Sequence, residues 1–551
     1  MERFIRYIAL TVALLFTAPV TSTAKPARGH ICPTLDETAQ LAARTTKEAA
    51  FTSSYLSPGG KFVVKYDTAG VNAPPMASLD GDAIPDFVQL AAHVADSVLH
   101  EYAKMGFDTH LNVTGSYPIE IRNLSGYGAT YPPPSSPRFE IDNGFTEPNF
   151  ATNGDDALRV TIAHELFHAV QFQYVSYTSG ISWWMEMTAT FMEEVMYDNV
   201  NDYHQYLDPV GWGSAGISIF SEPGNGLYFN NGTIYPYGGA IFPIFLTKNY
   251  GSDAAIDIIH DTFHVRKVTS TTPIIESIET RLSLPIEEIL AEFWVWNYFT
   301  GYRARDDFGF PEAASYRPAP LDPDAYADAS TAHTIVSLPD SGVVTGLVGA
   351  APLGAALIRI VPDGSLGGFR ATLYDSTDGN WSWRIAVADE NGVRRFPETP
   401  TLYDDRTRTI TIAGDNWTNA TDIVLVGTNG VTSGGEQLFT FELKYDATLT
   451  SIAVREALPD RVSLGLNAPN PFNPSTTIPF SLPVPGHTEL AVYAATGQLV
   501  RTLIDTDMRS GEHAVIWDGR DNSGRPAASG VYLVRLASDA GHDVRRISLV
   551  R

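Results

Sequence analysis

The sequence predicts a multidomain protein in which an α+β domain precedes two all-β sandwich domains. The chain has 551 residues, which suggests three or four domains at ~150 residues each. Helical spacing of apolar residues occurs only before residue 305, as in the stripe Phe87, Leu90, Val94 and Val98. From residue 331 onward, short runs alternate between apolar and polar side chains and are separated by Gly, Asp and Asn, which is typical of β-sandwiches.

Composition narrows the classes of function. Apolar residues make up 44% of the chain and charged residues 18%, which suits folded cores rather than disorder. The net charge of −26 argues against a nucleic-acid partner, because phosphate binding needs a cationic surface. Cys32 is the only cysteine, so an intrachain disulfide and a cysteine-rich zinc module are both excluded.

The N-terminus has the order of a secretory signal. Arg3 and Arg6 precede an apolar run over residues 8–16, and small residues lead to Ala24. The run is shorter than the ~20 apolar residues of a membrane span. We therefore predict a signal peptide at residues 1–24 and a protein that is secreted, either extracellular or attached to the cell surface, and not membrane-spanning.

Composition and hydrophobic periodicity divide the rest of the chain into regions. Residues 25–55 are predicted to be a leader or short propeptide, and residues 311–330, rich in Pro, Ala and Asp, a linker. The linker separates an α+β domain at 56–310 from sandwich domains at 331–450 and 451–551. Within 56–310 the patterns predict strands at 61–66, 117–121 and 138–142 and helices at 87–105, 158–174, 182–197, 237–249, 254–263 and 286–298.

The segment that carries chemistry is His164-Glu165-Leu166-Phe167-His168. On a helix, residues four apart leave the same face, so His164 and His168 can share one metal ion. H-E-x-x-H on a helix is the general metalloprotease signature, in which the Glu acts as general base. A hydrolytic zinc site needs a third protein ligand and keeps one open position.

Glu186 is the predicted third ligand. It follows His168 by 18 residues on an aromatic-rich helix, where a buried carboxylate is costly unless it is paired or bound to metal. Glu193 lies two turns further on the same helix face. It is expected either to orient a ligand histidine from behind or to be an exposed helical charge.

Over about residues 60–300 the chain resembles the gluzincin metallopeptidases. Trp183, Glu186 and Ala189 match the W-x-x-E-x-x-A motif of the branch that is similar to M1 aminopeptidases. The resemblance implies zinc held by His164, His168 and Glu186, with Glu165 as general base. Residues 236–240 are similar to that branch's P-Y-x-K-G segment, which implies that Tyr237, or alternatively Tyr235, stabilises the oxyanion.

The overall match is to exported bacterial metalloproteases of the MXAN-type family, which share T-x-x-H-E-x-F-H-A-x-Q-F-x-Y, present here at residues 161–174. The aminopeptidase motif G-x-M-E-N is absent, since the corresponding segment reads Phe139-Glu140-Ile141-Asp142-Asn143. The expectation is therefore a secreted zinc endopeptidase that hydrolyses a protein or peptide substrate with a metal-bound water. The alternatives are a cell-surface adhesion or binding protein with an inactive metallopeptidase scaffold and a hydrolase acting on another bond.

Two further segments carry weaker predictions. Asp80, Asp82 and Asp86 lie in a Gly/Pro turn that resembles a bacterial calcium loop, although Asp86 could instead cap the following helix. The last 85 residues resemble the type IX secretion sorting domain or its FlgD-like immunoglobulin relative, with motifs that run from Asn467-Ala468-Pro469-Asn470-Pro471 to Gly530-Val531-Tyr532. That resemblance implies a partner in the secretion machinery or at the cell surface.

Overall fold

The structure is a computed structural model. It describes residues 50–111, 113–133, 136–146, 150–208, 217–230, 232, 234–306, 308–316, 332–335, 343–361, 368–375, 381–390, 392–396, 401–404, 407–412, 420–446, 462–465, 467, 469–484, 486–508, 511–538 and 540–550. The predicted signal peptide and nearly all of the predicted leader lie outside these residues. Among the described residues, no helix combines the length and the apolar character needed to span a bilayer.

A five-stranded mixed sheet forms the centre of the N-terminal region. Its strands are β1 (Ser53–Leu56), β2 (Phe62–Tyr66), β3 (Tyr117–Arg122), β4 (Gly128–Tyr131) and β5 (Arg138–Asp142). The spatial order is β1-β2-β3-β5-β4. β2, β3 and β5 are parallel, and the edge strands β1 and β4 are antiparallel to their neighbours. Apolar side chains such as Phe62, Ile119 and Phe139 point from one face into the core.

Nine α-helices belong to the described part of the N-terminal region, and the first two pack directly on the sheet. The nine helices are α1 (Asp86–Lys104), α2 (Gly154–Tyr174), α3 (Ser182–Tyr197), α4 (His204–Leu207), α5 (Tyr235–Gly238), α6 (Ile241–Tyr250), α7 (Ala254–His260), α8 (Thr271–Leu282) and α9 (Ile286–Tyr298). α1 packs on β2, and α2 packs on β4, β5 and α3. α2 is buried over most of its length, so the motif helix is placed by packing on all sides.

The opposite face of the sheet carries a network of buried ions. Glu120 on β3 lies 2.8 Å from Arg122 and 3.3 Å from Arg138. Glu140 on β5 lies 3.2 Å from Arg138 and 3.3 Å from Arg122. The carboxylate at the position of the aminopeptidase motif is therefore engaged by two guanidinium groups within the sheet, where paired charges offset the cost of burial.

Most predicted elements are confirmed, and the differences are local. β1 begins inside the predicted leader, and its residues 53–56 pair with β2 in the central sheet, so the end of the leader belongs to the folded domain. β4 and α8 were not predicted. The predicted helix at 237–249 is divided between α5 and α6, and the predicted helix at 254–263 ends as α7 before a π-helix at Asp261–Arg266. The predicted linker begins too early, since Tyr316 is buried in the helical region.

The first sandwich contains two five-stranded sheets, ordered β11-β10-β14-β8-β6 and β12-β13-β9-β15-β7. The strands are β6 (Ala332–Ile335), β7 (Val343–Ala350), β8 (Ala355–Ile360), β9 (Gly368–Asp375), β10 (Trp381–Asp389), β11 (Gly392–Phe396), β12 (Thr401–Asp404), β13 (Thr407–Ile412), β14 (Asp422–Asn429) and β15 (Gln437–Asp446). α9 packs on β10 and β14, and the Tyr298 hydroxyl donates to Asp422 at 2.7 Å. Leu357 and Val424 belong to the same core cluster as the helices, so this sandwich and the α+β region share apolar packing.

The C-terminal region contains a three-stranded and a four-stranded antiparallel sheet, ordered β16-β17-β20 and β19-β18-β21-β22. The strands are β16 (Ser463–Leu464), β17 (Thr476–Leu482), β18 (Gly486–Ala494), β19 (Leu499–Met508), β20 (Gly511–Trp517), β21 (Gly530–Ser538) and β22 (Gly541–Leu549). Trp517, Phe480 and Val534 belong to a core cluster of its own. The multidomain plan with β-sandwich sheets after a helical region is confirmed.

Candidate metal centre

The site is built by two packed helices, α2 and α3. His164 and His168 lie one turn apart on α2, and Glu186 lies in the first half of α3. Trp183 and Trp184 flank Glu186 and anchor α3, because their indole N–H groups donate to Thr271 and Thr262. The aromatic run that made this helix conspicuous in the sequence is thus the packing surface that holds Glu186 in place.

Three potential ligand atoms converge at this point. Nε2 of His164 and Nε2 of His168 are 3.1 Å apart. Oε2 of Glu186 lies 3.2 Å from His164 Nε2 and 3.4 Å from His168 Nε2. Among the residues that the structure describes, these three form the one group of His, Cys, Asp or Glu side chains arranged to hold a metal ion.

The donor set fits zinc. Bonds of about 2.0–2.1 Å to a tetrahedral ion require ligand atoms about 3.3–3.4 Å apart, close to the observed separations. Two nitrogens and one carboxylate oxygen are ligands that zinc accepts, and three protein ligands leave one position open. Oε1 of Glu186 is buried and has no hydrogen-bond partner within the described part of the chain. An isolated buried carboxylate is costly, and a cation beside it would offset that cost.

The charge state of Glu186 agrees with a ligand role. Burial opposes its ionisation, but the adjacent His168 and His164 imidazoles outweigh burial and hold the pKa of this carboxyl at about 2. The carboxylate is therefore anionic at neutral pH.

The far nitrogen of each imidazole has its own partner. Nδ1 of His164 lies 2.6 Å from Oε1 of Glu193, and Nδ1 of His168 lies 2.8 Å from Oε1 of Gln171. Both contacts suit an imidazole that donates its proton from Nδ1, so that the lone pair of Nε2 can coordinate a metal ion. Of the two alternatives that the sequence left open for Glu193, its buried position against His164 agrees with the first, a group that orients a histidine.

Gln171 also links the two helices. Its Nε2 donates to the Met185 carbonyl at 3.1 Å and to the Thr188 hydroxyl at 3.0 Å, both on α3. The amide orientation is thereby set, because its nitrogen faces two acceptors and its oxygen faces His168. Gln171 was not identified as a site residue from the sequence, although a polar side chain one turn after His168 on a buried helix is a recognisable signal.

Replacing Gln171 with Leu is expected to weaken zinc binding. The variant removes the acceptor for His168 Nδ1, and partners behind metal ligands are typically worth ~10–100-fold in affinity. Competition against a chromophoric chelator would measure the change. Gln173→Leu is the matched control, because Gln173 bonds to Asp108 and Leu111 instead. An unchanged zinc affinity in Gln171→Leu would show that this amide does not support His168.

Glu165 faces the edge strand β4. The Thr130 hydroxyl lies 2.7 Å from Glu165 Oε2 and 2.8 Å from the Glu165 carbonyl oxygen, and its single proton serves one of them at a time. Gly128 makes this approach possible. A Cβ at that position would lie 2.9 Å from Glu165 Cγ and 2.8 Å from the Glu140 carbonyl oxygen, closer than atoms normally pack. Thr130 and Gly128 carry no signal in the local sequence, because only the sheet brings them to α2.

The structure separates the two candidate tyrosines. The Tyr237 ring stacks over His164 with centroids 6.0 Å apart and borders the same cleft. The Tyr235 hydroxyl instead donates to the Glu222 carbonyl, and its side chain is fully buried outside the cleft. Tyr237 is thus the candidate that the geometry favours, and Tyr235 is positioned as a structural residue.

A small cleft opens beside His164. Three carboxylates line it, from Glu165, Glu193 and Asp202, together with three tyrosines, Tyr127, Tyr206 and Tyr237. Asp202 was missed from the sequence because it follows α3 in a loop with no recognisable motif. Asp202 accepts hydrogen bonds from the Gln205 amide at 2.8 Å and from the Tyr127 hydroxyl at 3.4 Å. Burial raises the pKa of the Asp202 carboxyl.

The predicted calcium loop has a different arrangement. Asp82 accepts from the Gln89 amide and the Ile84 N–H, and Asp80 accepts from the Ser78 hydroxyl. Asp86 is the first residue of α1 and accepts from the Leu79 N–H, so it does not cap the helix in the predicted way. The carboxylates accept hydrogen bonds from these local donors, and calcium binding stays a prediction.

One family model matches the C-terminal region of the chain. The FlgD Ig-like domain family model matches residues 475–542, so this module is similar to that family. No curated protein matches the chain. The metallopeptidase resemblance, which lies at residues 60–300, therefore remains a prediction from sequence and site geometry.

Solved structures match at low overall similarity. PorZ, a surface component of the type IX secretion system of Porphyromonas gingivalis, is 22% identical over 20% of this chain and 14% of its own, with a TM-score of 0.13. Latent PorU from Porphyromonas gingivalis is 12% identical over 40% of this chain and 32% of its own, with a TM-score of 0.15. The chain spans less than a third of either protein, and scores this low support no argument about function.

Proposed function

We propose that this chain is a secreted zinc-dependent peptidase, and specifically an endopeptidase. The observation that carries the proposal is the convergence of His164, His168 and Glu186 at 3.1–3.4 Å, with Glu165 beside them on the cleft. A zinc ion in this position would supply a Lewis acid and lower the pKa of a bound water to ~7.

The protein's own groups would perform the proton transfers. Glu165 lies on the cleft next to His164, where its carboxylate can accept a proton from the attacking water and deliver it to the leaving amine. Thr130 holds one carboxylate oxygen at 2.7 Å and so limits the rotamers of Glu165. Tyr237, stacked over His164, can donate its hydroxyl to the developing oxyanion, a contact typically worth ~3 kcal/mol.

The endopeptidase assignment is supported by Glu140. In this chain its carboxylate is 3.2 Å from Arg138 and 3.3 Å from Arg122. A carboxylate neutralised in this way is a poor receptor for the free amine of a substrate. The proposed location outside the cell is supported by the signal-like N-terminus and by the C-terminal match to the FlgD Ig-like domain, for which we propose a role in export or surface attachment.

Metal removal and restoration test the proposal. Purified wild-type protein is expected to contain one zinc per chain and to cleave an unfolded protein substrate. Dialysis against a chelator should abolish cleavage, and one equivalent of zinc should restore it. Activity should also fall at acidic pH, because the ligand imidazoles must be neutral. Protein that binds zinc but cleaves no protein substrate, also after N-terminal processing, would favour the adhesion alternative.

A further inference from the structure

The cleft beside His164 has an unusual charge balance. Glu165, Glu193 and Asp202 line it, and all three side chains are more than nine-tenths buried. No Lys or Arg occurs among the described residues that line it. Three buried carboxylates against one cavity are costly unless a cation joins them.

Two polar atoms at this cleft also lack partners. Oε2 of Glu193 and Oγ1 of Thr161 are buried and have no hydrogen-bond partner within the residues that the structure describes. Both residues line the cleft, and they are 6% and 3% exposed. Native proteins rarely leave such groups unsatisfied, so a donor that enters the cleft would complete their hydrogen bonds.

A metal ion at the neighbouring site is not itself a hydrogen-bond donor, so it would leave Glu193 Oε2 and Thr161 Oγ1 without a donor. An ammonium or guanidinium group supplies both missing items, a positive charge and N–H donors for Glu193 Oε2 and Thr161 Oγ1.

We propose that this cleft binds a cationic group of the substrate, with Asp202 as a residue that determines specificity. The inference rests on the proposed peptidase function and names its substrate class, which is peptides with a positive charge close to the scissile bond. The charge can come from a Lys or Arg side chain or from a free amino terminus, which has the same ammonium chemistry. Aromatic walls from Tyr127, Tyr206 and Tyr237 suit such a group, because cations are attracted to ring faces.

Matched peptides distinguish the two sources of charge. N-acetylated fluorogenic peptides carrying Lys, norleucine or Glu at each position around the cleaved bond would be compared by kcat/KM. At one position we expect Lys to exceed norleucine by ~10-fold or more, as for a charged hydrogen bond, and Glu to be poorest. The preference should decrease at high salt. If kcat/KM instead rises only for peptides with an unacetylated amino terminus, the group that binds in the cleft is the terminal ammonium.

Asp202→Asn is expected to reduce the Lys-to-norleucine ratio by ~10-fold. Asp253→Asn, which removes the same charge at an exposed position, is the control and should leave the ratio unchanged. The Lys-to-norleucine ratio can be measured on the wild-type protein alone, so the proposal stays testable if Asp202→Asn fails to fold. Equal kcat/KM for Lys, norleucine and free-amine peptides would overturn the inference while leaving the peptidase proposal intact.

A binding measurement separates this inference from catalysis. Titration of zinc-loaded protein with n-butylammonium, against n-butanol at equal ionic strength, should show binding of the cation only, and Asp202→Asn should weaken it. If no peptide is cleaved but butylammonium binds, the peptidase proposal fails and the cation cleft stands. If neither peptide cleavage nor selective butylammonium binding is found, both proposals fail.

Discussion

Glu165→Gln is expected to lower peptide hydrolysis by ~10²–10⁴-fold, the usual contribution of a general base. The change is nearly isosteric, so packing against Gly128 and the contact with Thr130 should persist. Only the capacity to accept a proton is lost. The zinc affinity should remain close to that of wild type, because Glu165 is not among the three converging ligands. Single-turnover kinetics with metal-loaded protein would measure the effect.

The control for this variant is Glu101→Gln, which makes the same change on the exposed side of α1. It should retain wild-type activity. Wild-type rates in Glu165→Gln would show that another group accepts the proton, and the mechanism proposed for this cleft would have to be abandoned. Loss of both activity and zinc would instead assign Glu165 to metal binding.

Glu186→Gln is expected to weaken zinc binding by more than ~100-fold. Mutation of a residue that only supports a metal ligand typically lowers metal affinity by ~10–100-fold. Loss of the carboxylate ligand itself should lower the affinity by more than that. A neutral amide also cannot balance the charge of a divalent ion between two imidazoles. Peptide hydrolysis should fall with metal occupancy and recover in part at high zinc concentration.

Glu193→Gln is the comparison for Glu186→Gln. Its amide oxygen can still accept from His164 Nδ1 across the 2.6 Å contact, so its loss of affinity should be smaller. Metal content by mass spectrometry and competition with a chelator would rank the variants. Full zinc occupancy in Glu186→Gln at submicromolar zinc would contradict the ligand assignment.

The chemistry of the site was predictable where it depended on local periodicity. The four-residue spacing of His164 and His168 places both imidazoles on one helix face in any α-helix. The same rule relates Glu186 to Glu193 on α3. These predictions hold because the geometry of an α-helix fixes which side chains share a face. The number of residues between two side chains is sufficient, whatever the rest of the fold.

Choices between similar side chains were not predictable from spacing. Tyr235 and Tyr237 are two residues apart, and only the packing of Tyr235 against the Glu222 carbonyl and of Tyr237 over His164 separates them. Similarly, the carboxylates of the Asp80 loop resemble calcium ligands in sequence, but their orientation depends on local donors such as Gln89.

The amino-acid sequence alone determined the order of the regions, the helices that carry the site and the identities of the side chains proposed to bind metal. Tertiary structure decided how those side chains meet the rest of the molecule. The strand with Gly128 and Thr130 reaches Glu165 through sheet pairing, and Asp202 reaches the cleft through a loop after α3. Such contacts join residues far apart in the chain, and their geometry depends on how whole elements pack rather than on any local pattern.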